Sequence, residues 1–450
     1  VDEQFERRTA VAVLVRSVLD HLAGLEGQPR IGRVIDIRRW WRYGQENFVG
    51  LQSRAWLMPA DVPIVGWLEK FPEMTAVRQA YNADSVLGAR VDTLIGTEFS
   101  RHRRNFDWLL IEHIVQPMVL ATGMYGFDEA VFDRFYDRFE RGFGAEQVHM
   151  VEFLPLNGFE STEISVLLPD GLVLQRMSDT QMSAAIDHLA VPRMSGGSVN
   201  GARVSRFDQW ALVTARSYPV ADGGPIAAPQ PPAFPTLYEP ANTLITALRI
   251  VCGGSVVVTR SMFAQADDEF PIVQGVSAML SAFDGADNDR PTYLLTDALN
   301  AFRATYTALS LPGVHADRSL QIAIRRLVFA GSRRVEADRL IDLMMSAEAL
   351  FIKRANLLRG TKGDKIAVAA ATLLAGDLEL KADADQIQTF MRTMYQARNA
   401  EMHGDDRPYL NLRLLDGTPT DSMPGVLNDA EKIMRRAVLT VLAGHAVVDK

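Results

Sequence analysis

Six prolines fall between residues 219 and 236, in the run PVADGGPIAAPQPPAFPT: Pro219, Pro225, Pro229, Pro231, Pro232 and Pro235. A proline has no backbone N–H and a fixed φ, so neither a helix nor a central strand is expected to run through this stretch. It reads as an extended linker. The linker divides the 450 residues into an N-terminal region, 1–218, and a C-terminal region, 237–450. Each is long enough to bury a core without metal or disulfide staples.

The single cysteine, Cys252, cannot form an intramolecular disulfide or a cysteine-based zinc site, which points to a reducing compartment. The longest charge-free apolar stretches, Ile366 to Gly376 and Ala437 to Val448, are too short to span a bilayer. Residues Val1 to Arg30 alternate charged and apolar side chains, so no signal peptide is expected and a cytoplasmic location is. A net charge of −8 argues against a protein that coats nucleic acid, while leaving room for a local basic patch. Of 47 basic residues, 40 are arginines. A GC-rich genome explains that bias, although arginine is also the better phosphate ligand.

The N-terminal region has a mixed pattern. Val1 to Leu25 has helical periodicity, and Asp128 to Phe143 places Phe132, Phe135, Phe139 and Phe143 on one helical stripe suited to core packing. Ile164 to Gln175 reads as a β-hairpin turning at Asp170-Gly171. Ser178 and Gln181 form a capping box for a short helix, and Phe207 to Ser217 reads as a strand. After the linker, helices are expected at Leu244–Val251, Asp317–Ala330, Ala337–Ile352, Asp364–Ala375, Gln386–His403 and Asn428–Val447. The fold class is therefore α+β: a mixed N-terminal region followed by an all-α helical bundle.

HExxH, CxxC, GxxxxGK[ST] and G-x-S-x-G are absent from the sequence, so zinc-protease, P-loop and α/β-hydrolase chemistry has no motif. No cofactor or metal is expected. The acidic run Lys381-Ala-Asp-Ala-Asp385 fits a solvated helix entry better than a metal site. Chemistry concentrates instead in Tyr395-Gln-Ala-Arg-Asn-Ala-Glu-Met-His-Gly404. The stripe Ile387, Phe390, Met391, Met394 continues to Arg398, which is thus expected to point inward and to need a partner. Glu348, on the stripe of Ile341, Met344, Phe351 and Ile352, is the expected partner. The pair serves equally well as a purely structural bridge. Tyr395, Asn399 and His403 follow at steps of four, forming one row beside Arg398, and Gly404 should end the helix. His403 in the last turn either complements the helix dipole or offers an imidazole to a ligand. The Arg398/His403 spacing alone carries little, because about two such pairs arise by chance in this composition. Arg16 with His21 is the other.

Taken together, Leu244–Val256 (LITALRIVCGGSV), IRRLVFAG from Ile324, ADRLIDLMMSAEALF from Ala337, KIAVAAATLLAG from Lys365 and MYQARNAEMHG from Met394 resemble the Apea-like branch of the HEPN superfamily. The resemblance covers the C-terminal 200 residues or so and leaves the first 240 without a family. It implies a metal-independent endoribonuclease acting in antiviral, abortive-infection defence as a homodimer with two motifs facing one another. The R-N-x-x-x-H motif carries over onto Arg398, Asn399 and His403, with Glu348 and Tyr395 in support. RNA is then the substrate, and the N-terminal region would sense a viral trigger and gate the activity. The alternative is a non-catalytic HEPN dimerisation or nucleotide-binding scaffold in which Arg398 and His403 hold the fold.

Between Gly313 and Ala382 twelve basic residues face eight acidic ones, and the doublets Arg325-Arg326 and Arg333-Arg334 are candidate RNA contacts or solvated helix ends. Arg38-Arg-Trp-Trp-Arg-Tyr43 interleaves base and aromatic, a pattern that suits nucleobase stacking or closure of a core. A fragment beginning near Thr236 retains the whole resembling segment and is expected to fold alone.

Overall fold

A computed structural model describes the chain apart from residues 1–2, 43–44, 58–65, 92–104, 179–180, 183–184, 186–208, 220–236, 259–260, 267–276, 281–289, 354, 356–358, 405–411 and 449–450. Nearly all of the proline-rich stretch thus lies outside the described residues, as does Tyr43.

The chain opens with α1 (Glu3–Glu26), whose Val11, Leu14, Val15, Val18, Leu19 and Leu22 are buried. An antiparallel ribbon follows, β1 (Arg30–Arg42) with β2 (Gln45–Leu57), Arg30 opposite Leu57 and Arg42 opposite Gln45. Short helices come next: α2 (Glu73–Asn82), α3 (Ser85–Val91), α4 (Phe106–Leu110), a π-helical turn at Ile111–Val115 and α5 (Gln116–Thr122). Helix α6 (Glu129–Gly144) starts where the Asp128 side chain accepts the Val131 N–H at 2.9 Å, an N-cap. Its buried stripe is Phe132, Tyr136, Phe139 and Phe143. Phe135 is only partly buried, because Tyr136, four residues on from Phe132, takes the inner place. The one carboxylate on this face, Glu140, is satisfied by Tyr81 (2.6 Å), Tyr136 (3.1 Å) and Arg7 Nε (2.6 Å), as a buried charge must be.

The strands that follow are β3 (Gln147–Asn157), β4 (Phe159–Ser161), β5 (Ser165–Leu167), β6 (Val173–Arg176), β7 (Trp210–Pro219), β8 (Val257–Val258), β9 (Ser261–Ala266), β10 (Ser277–Leu280) and β11 (Thr292–Leu294). The main sheet runs β10-β9-β3-β7-β6-β5 with β8 also on β3, all antiparallel, while β4 and β11 pair in parallel. The hairpin β5–β6 turns at Asp170-Gly171, where Gly171 has φ +84°, a conformation that favours glycine. The Ser178 capping box is present: Gln181 N–H donates to Ser178 Oγ at 3.2 Å and Ser178 N–H to Gln181 Oε1 at 2.9 Å.

The helices of the second half are α7 (Tyr238–Cys252), α8 (Leu299–Leu309), α9 (Pro312–Ala316), α10 (Arg318–Ser332), α11 (Glu336–Phe351), α12 (Lys362–Leu374), α13 (Ala384–His403) and α14 (Met423–Val448). The protein is α+β with a helical C-terminal part. The expectation for that part lacked β8 to β11, which lie between α7 and α8, and the helices α8 and α9.

The apolar cores do not divide at the proline-rich stretch. One contains Val11 to Met150. The other joins Leu154, Phe159, Leu174, Trp210 and Leu212 to Leu244, Leu248 and the helices up to Leu442. The composition break marks a connection within this second core, because β3 pairs with β8 and β9, and β4 with β11, from opposite sides of it. A fragment starting at Thr236 therefore loses Trp210 and its neighbours from the core it is meant to keep. Fragment 145–450 should unfold cooperatively by circular dichroism, whereas 236–450 should aggregate or melt without a transition. Two equally cooperative melts would show that the strands before residue 219 are dispensable.

Candidate active site

Helix α13 is fixed at both ends by its sequence. Asp383 Oδ1 accepts the Gln386 N–H at 2.8 Å and Gln386 Oε1 accepts the Asp383 N–H at 2.9 Å, a capping box that explains the acidic run as a helix entry. Gly404, at φ +74°, ends it in the left-handed conformation. Between these ends Ile387, Phe390, Met391, Met394 and Ala397 are buried. Arg398 sits at the margin of that stripe, with its side chain 20 % exposed, so the guanidinium is half-buried rather than fully inward.

Its expected partner is in place. Arg398 Nη2 lies 3.7 Å from Glu348 Oε1, and Lys362 Nζ donates to Glu348 Oε2 at 2.6 Å. Glu348 lies in the last turn of α11, whose buried face is Leu340, Leu343, Met344, Ala347, Leu350 and Phe351. Ile341 and Ile352 are only partly buried, so the stripe is rotated from the one expected. Arg398 Nη1 donates to Asn399 Oδ1 at 3.0 Å, and its guanidinium carbon is 5.9 Å from the centre of the Tyr395 ring. Asn399 thus helps to hold the arginine. Burial, and then the Glu348 carboxylate beside it, raises the Tyr395 phenol above its ordinary value. Arg398 Nε and Glu348 Oε1 have no hydrogen-bond partner among the described residues. The guanidinium therefore keeps donor capacity while its position is set.

His403 lies one turn beyond Asn399 and is exposed. The site thus has a positioned, half-buried cation and, five residues on in the neighbouring row of Tyr395 and Asn399, an imidazole open to solvent.

Sequence reasoning missed the residues that close the site from α12. Thr361 Oγ1 accepts the Asp364 N–H at 3.2 Å, and Asp364 Oδ1 accepts Arg392 Nε at 2.8 Å. The Thr361 hydroxyl, which donates to Asp364 Oδ2 at 2.7 Å, and then Arg392 hold the Asp364 carboxyl below its usual range, and the Arg392 contact pins the start of α12 to α13. Gly363 lets Tyr395 approach, because a Cβ there would stand 2.8 Å from Tyr395 Cδ1. The T-K-G-D sequence at 361–364 carried the capping signal; the long-range contacts carried none.

Of the four arginines singled out as RNA contacts, two are committed elsewhere. Arg326 Nη1 (2.9 Å) and Arg333 Nε (2.6 Å) clamp the buried Asp342 between α10 and α11, because that carboxylate must be neutralised. Arg325 and Arg334 are exposed. Arg38 to Arg42 lie in β1, an element not expected from the sequence. Among the described residues no group of three or more His, Cys, Asp and Glu is placed to hold a metal ion, and no helix is long and apolar enough to cross a membrane.

Compared with known protein families, with curated proteins and with solved structures, the chain matches none.

Gly363→Ala should push Tyr395 off Arg398 and destabilise the chain by about 1–3 kcal/mol, the usual cost of overpacking. Glu348→Gln should cost less, about 0.5–1.5 kcal/mol, by weakening the half-exposed hydrogen bond from Lys362 and the longer ion pair with Arg398. Urea melts check both, and unchanged midpoints would mean that the cluster does not order this corner.

Proposed function

We propose that the chain is a metal-independent endoribonuclease of the HEPN type, acting in the cytoplasm as a homodimer in antiviral, abortive-infection defence. The observation that carries this reading is the state of Arg398, held by Glu348 at 3.7 Å and Asn399 at 3.0 Å yet one-fifth exposed. A guanidinium that is fixed in place and still reachable suits a phosphate in transition, since a preorganised cation stabilises developing negative charge without reorganising.

In the proposed reaction an RNA 2′-hydroxyl attacks the adjacent phosphorus and displaces the 5′-oxygen of the next nucleotide. The exposed His403 imidazole takes the proton from the 2′-hydroxyl or supplies one to the leaving oxygen. Arg398 stabilises the pentavalent oxyanion. Each chain offers one such histidine at this site while the reaction needs a base and an acid, which favours two motifs meeting across a dimer interface. The extent of the cores shifts the proposed sensor for a viral trigger to the first core, Val11 to Met150, since the strands beyond it share a core with the helices.

One observation favours the rival reading, a non-catalytic dimerisation or nucleotide-binding scaffold. Arg398, Glu348 and Lys362 join three helices and would be retained for that reason alone. Cleavage of labelled total RNA in EDTA separates the two. His403→Ala should lower the rate by about 10²- to 10⁴-fold with the melting curve unchanged. Equal cleavage by wild type and His403→Ala would remove His403 from the mechanism, and no cleavage by either would favour the scaffold.

A further inference from the structure

The far end of α11 from Glu348 carries a second concentration of charge that the ribonuclease reading does not use. Glu431 on α14 is 5 % exposed and accepts from Arg290 Nη2 at 2.8 Å and Arg339 Nη2 at 2.5 Å. Two more guanidiniums are spent on neutral acceptors. Arg249 donates to the Val256 and Val328 carbonyls and to Ser332 Oγ. Arg435 donates to the carbonyls of Ile250 and Val251, the last turn of α7. Among the described residues, four buried or half-buried arginines thus share one buried carboxylate. Positive charge out of water is costly unless an anion accompanies it.

Beside this cluster lies a cavity of about 440 Å³, within the range of small-ligand sites. Arg290, Lys432, Arg435 and Arg436 line it, with Val251 and Leu439 supplying apolar wall. Its other acids are occupied or peripheral. Asp429 Oδ2 accepts the Leu415 N–H at 2.9 Å, and Glu379 is exposed. Arg436 is neutralised by Asp377 at 2.8 Å. Arg290 Nη1 is buried and has no hydrogen-bond partner among the described residues. The backbone leaves room for the guanidinium of Arg435, because Gly253, at φ +75°, would place a Cβ 2.6 Å from Arg435 Nη1.

We propose that this cavity binds a phosphate group, with Arg290, Lys432 and Arg435 as its ligands. The phosphate is either the free anion or the monoester of a small molecule whose apolar part rests on Val251 and Leu439. The site is independent of Arg398 and His403, so its test does not depend on RNA cleavage.

The test is thermal unfolding of the full chain in inorganic phosphate, AMP or adenosine at constant ionic strength set with NaCl. Phosphate or AMP should raise Tm where adenosine does not, since only a ligand that binds the folded state stabilises it. A response to both, larger for AMP, assigns a phosphomonoester; a response to phosphate alone assigns the free anion. Arg290→Gln and Lys432→Gln should each raise the ligand concentration needed by about tenfold, the loss of one charged contact. Lys432→Gln tests the site without touching Glu431. No rise in Tm with phosphate or AMP beyond the NaCl control, or a rise that persists unchanged in Lys432→Gln, would overturn the proposal.

Discussion

The ion cluster around Glu431 ties strand and helix segments together beside the apolar core that they share. Arg339 brings it α11, and Arg290 brings the segment leading into β11, which pairs with β4 from the other side of the proline-rich stretch. Burial by itself would raise the Glu431 carboxyl, but Arg290 and Arg339 outweigh it and hold the group below its usual range. A depressed carboxylate adds stability that is present above the unfolded pKa and is lost as pH falls through the folded one. Removing such a buried partner characteristically costs about 3–5 kcal/mol, because the opposite charges are left uncompensated.

Helix α11 carries this constraint to the candidate active site. Arg339 stands in its first turn and Glu348 in its last. At about 1.5 Å per residue that separation is roughly 14 Å. Glu348 fixes Lys362 at the start of α12 and Arg398 on α13, so Arg398 is positioned by the packing of three helices. His403, past the last packed turn, is not. The division suits the proposed chemistry: the group that meets developing charge is preorganised, and the group that moves protons stays in contact with water.

What could be read in the sequence follows from the range of the forces involved. Helices α7 and α10 to α14, the hairpin at Asp170-Gly171 and the Ser178 box are local, written in periodicity, capping and turn residues within a few positions. The Glu348–Arg398 pair was also readable, since a charged residue at the margin of an apolar stripe demands a partner. The ribbon β1–β2 was not: Ile31, Val34, Ile35 and Ile37 favour a strand, but Arg30, Arg33, Arg38, Arg39 and Arg42 interrupt its alternation. Strands as short as Val257–Val258 have no period to detect. The Asp342 clamp escaped because Arg326 lies on α10 and Arg333 just past its end while the carboxylate is on α11, and runs of arginine look alike whether they face a buried carboxylate or a phosphate. The proline-rich stretch misled for a related reason, since a break in composition need not be a break in the core.

The most direct test of the central claim is the chemistry of the RNA ends left by the purified full-length chain in EDTA. Attack by an internal 2′-hydroxyl leaves a 2′,3′-cyclic phosphate, or the 3′-phosphate from its hydrolysis, with a 5′-hydroxyl on the other fragment. Those ends, lost in His403→Ala, are expected if His403 moves protons for an internal 2′-hydroxyl. Ends bearing a 3′-hydroxyl and 5′-phosphate, formed only when magnesium is restored, would contradict it.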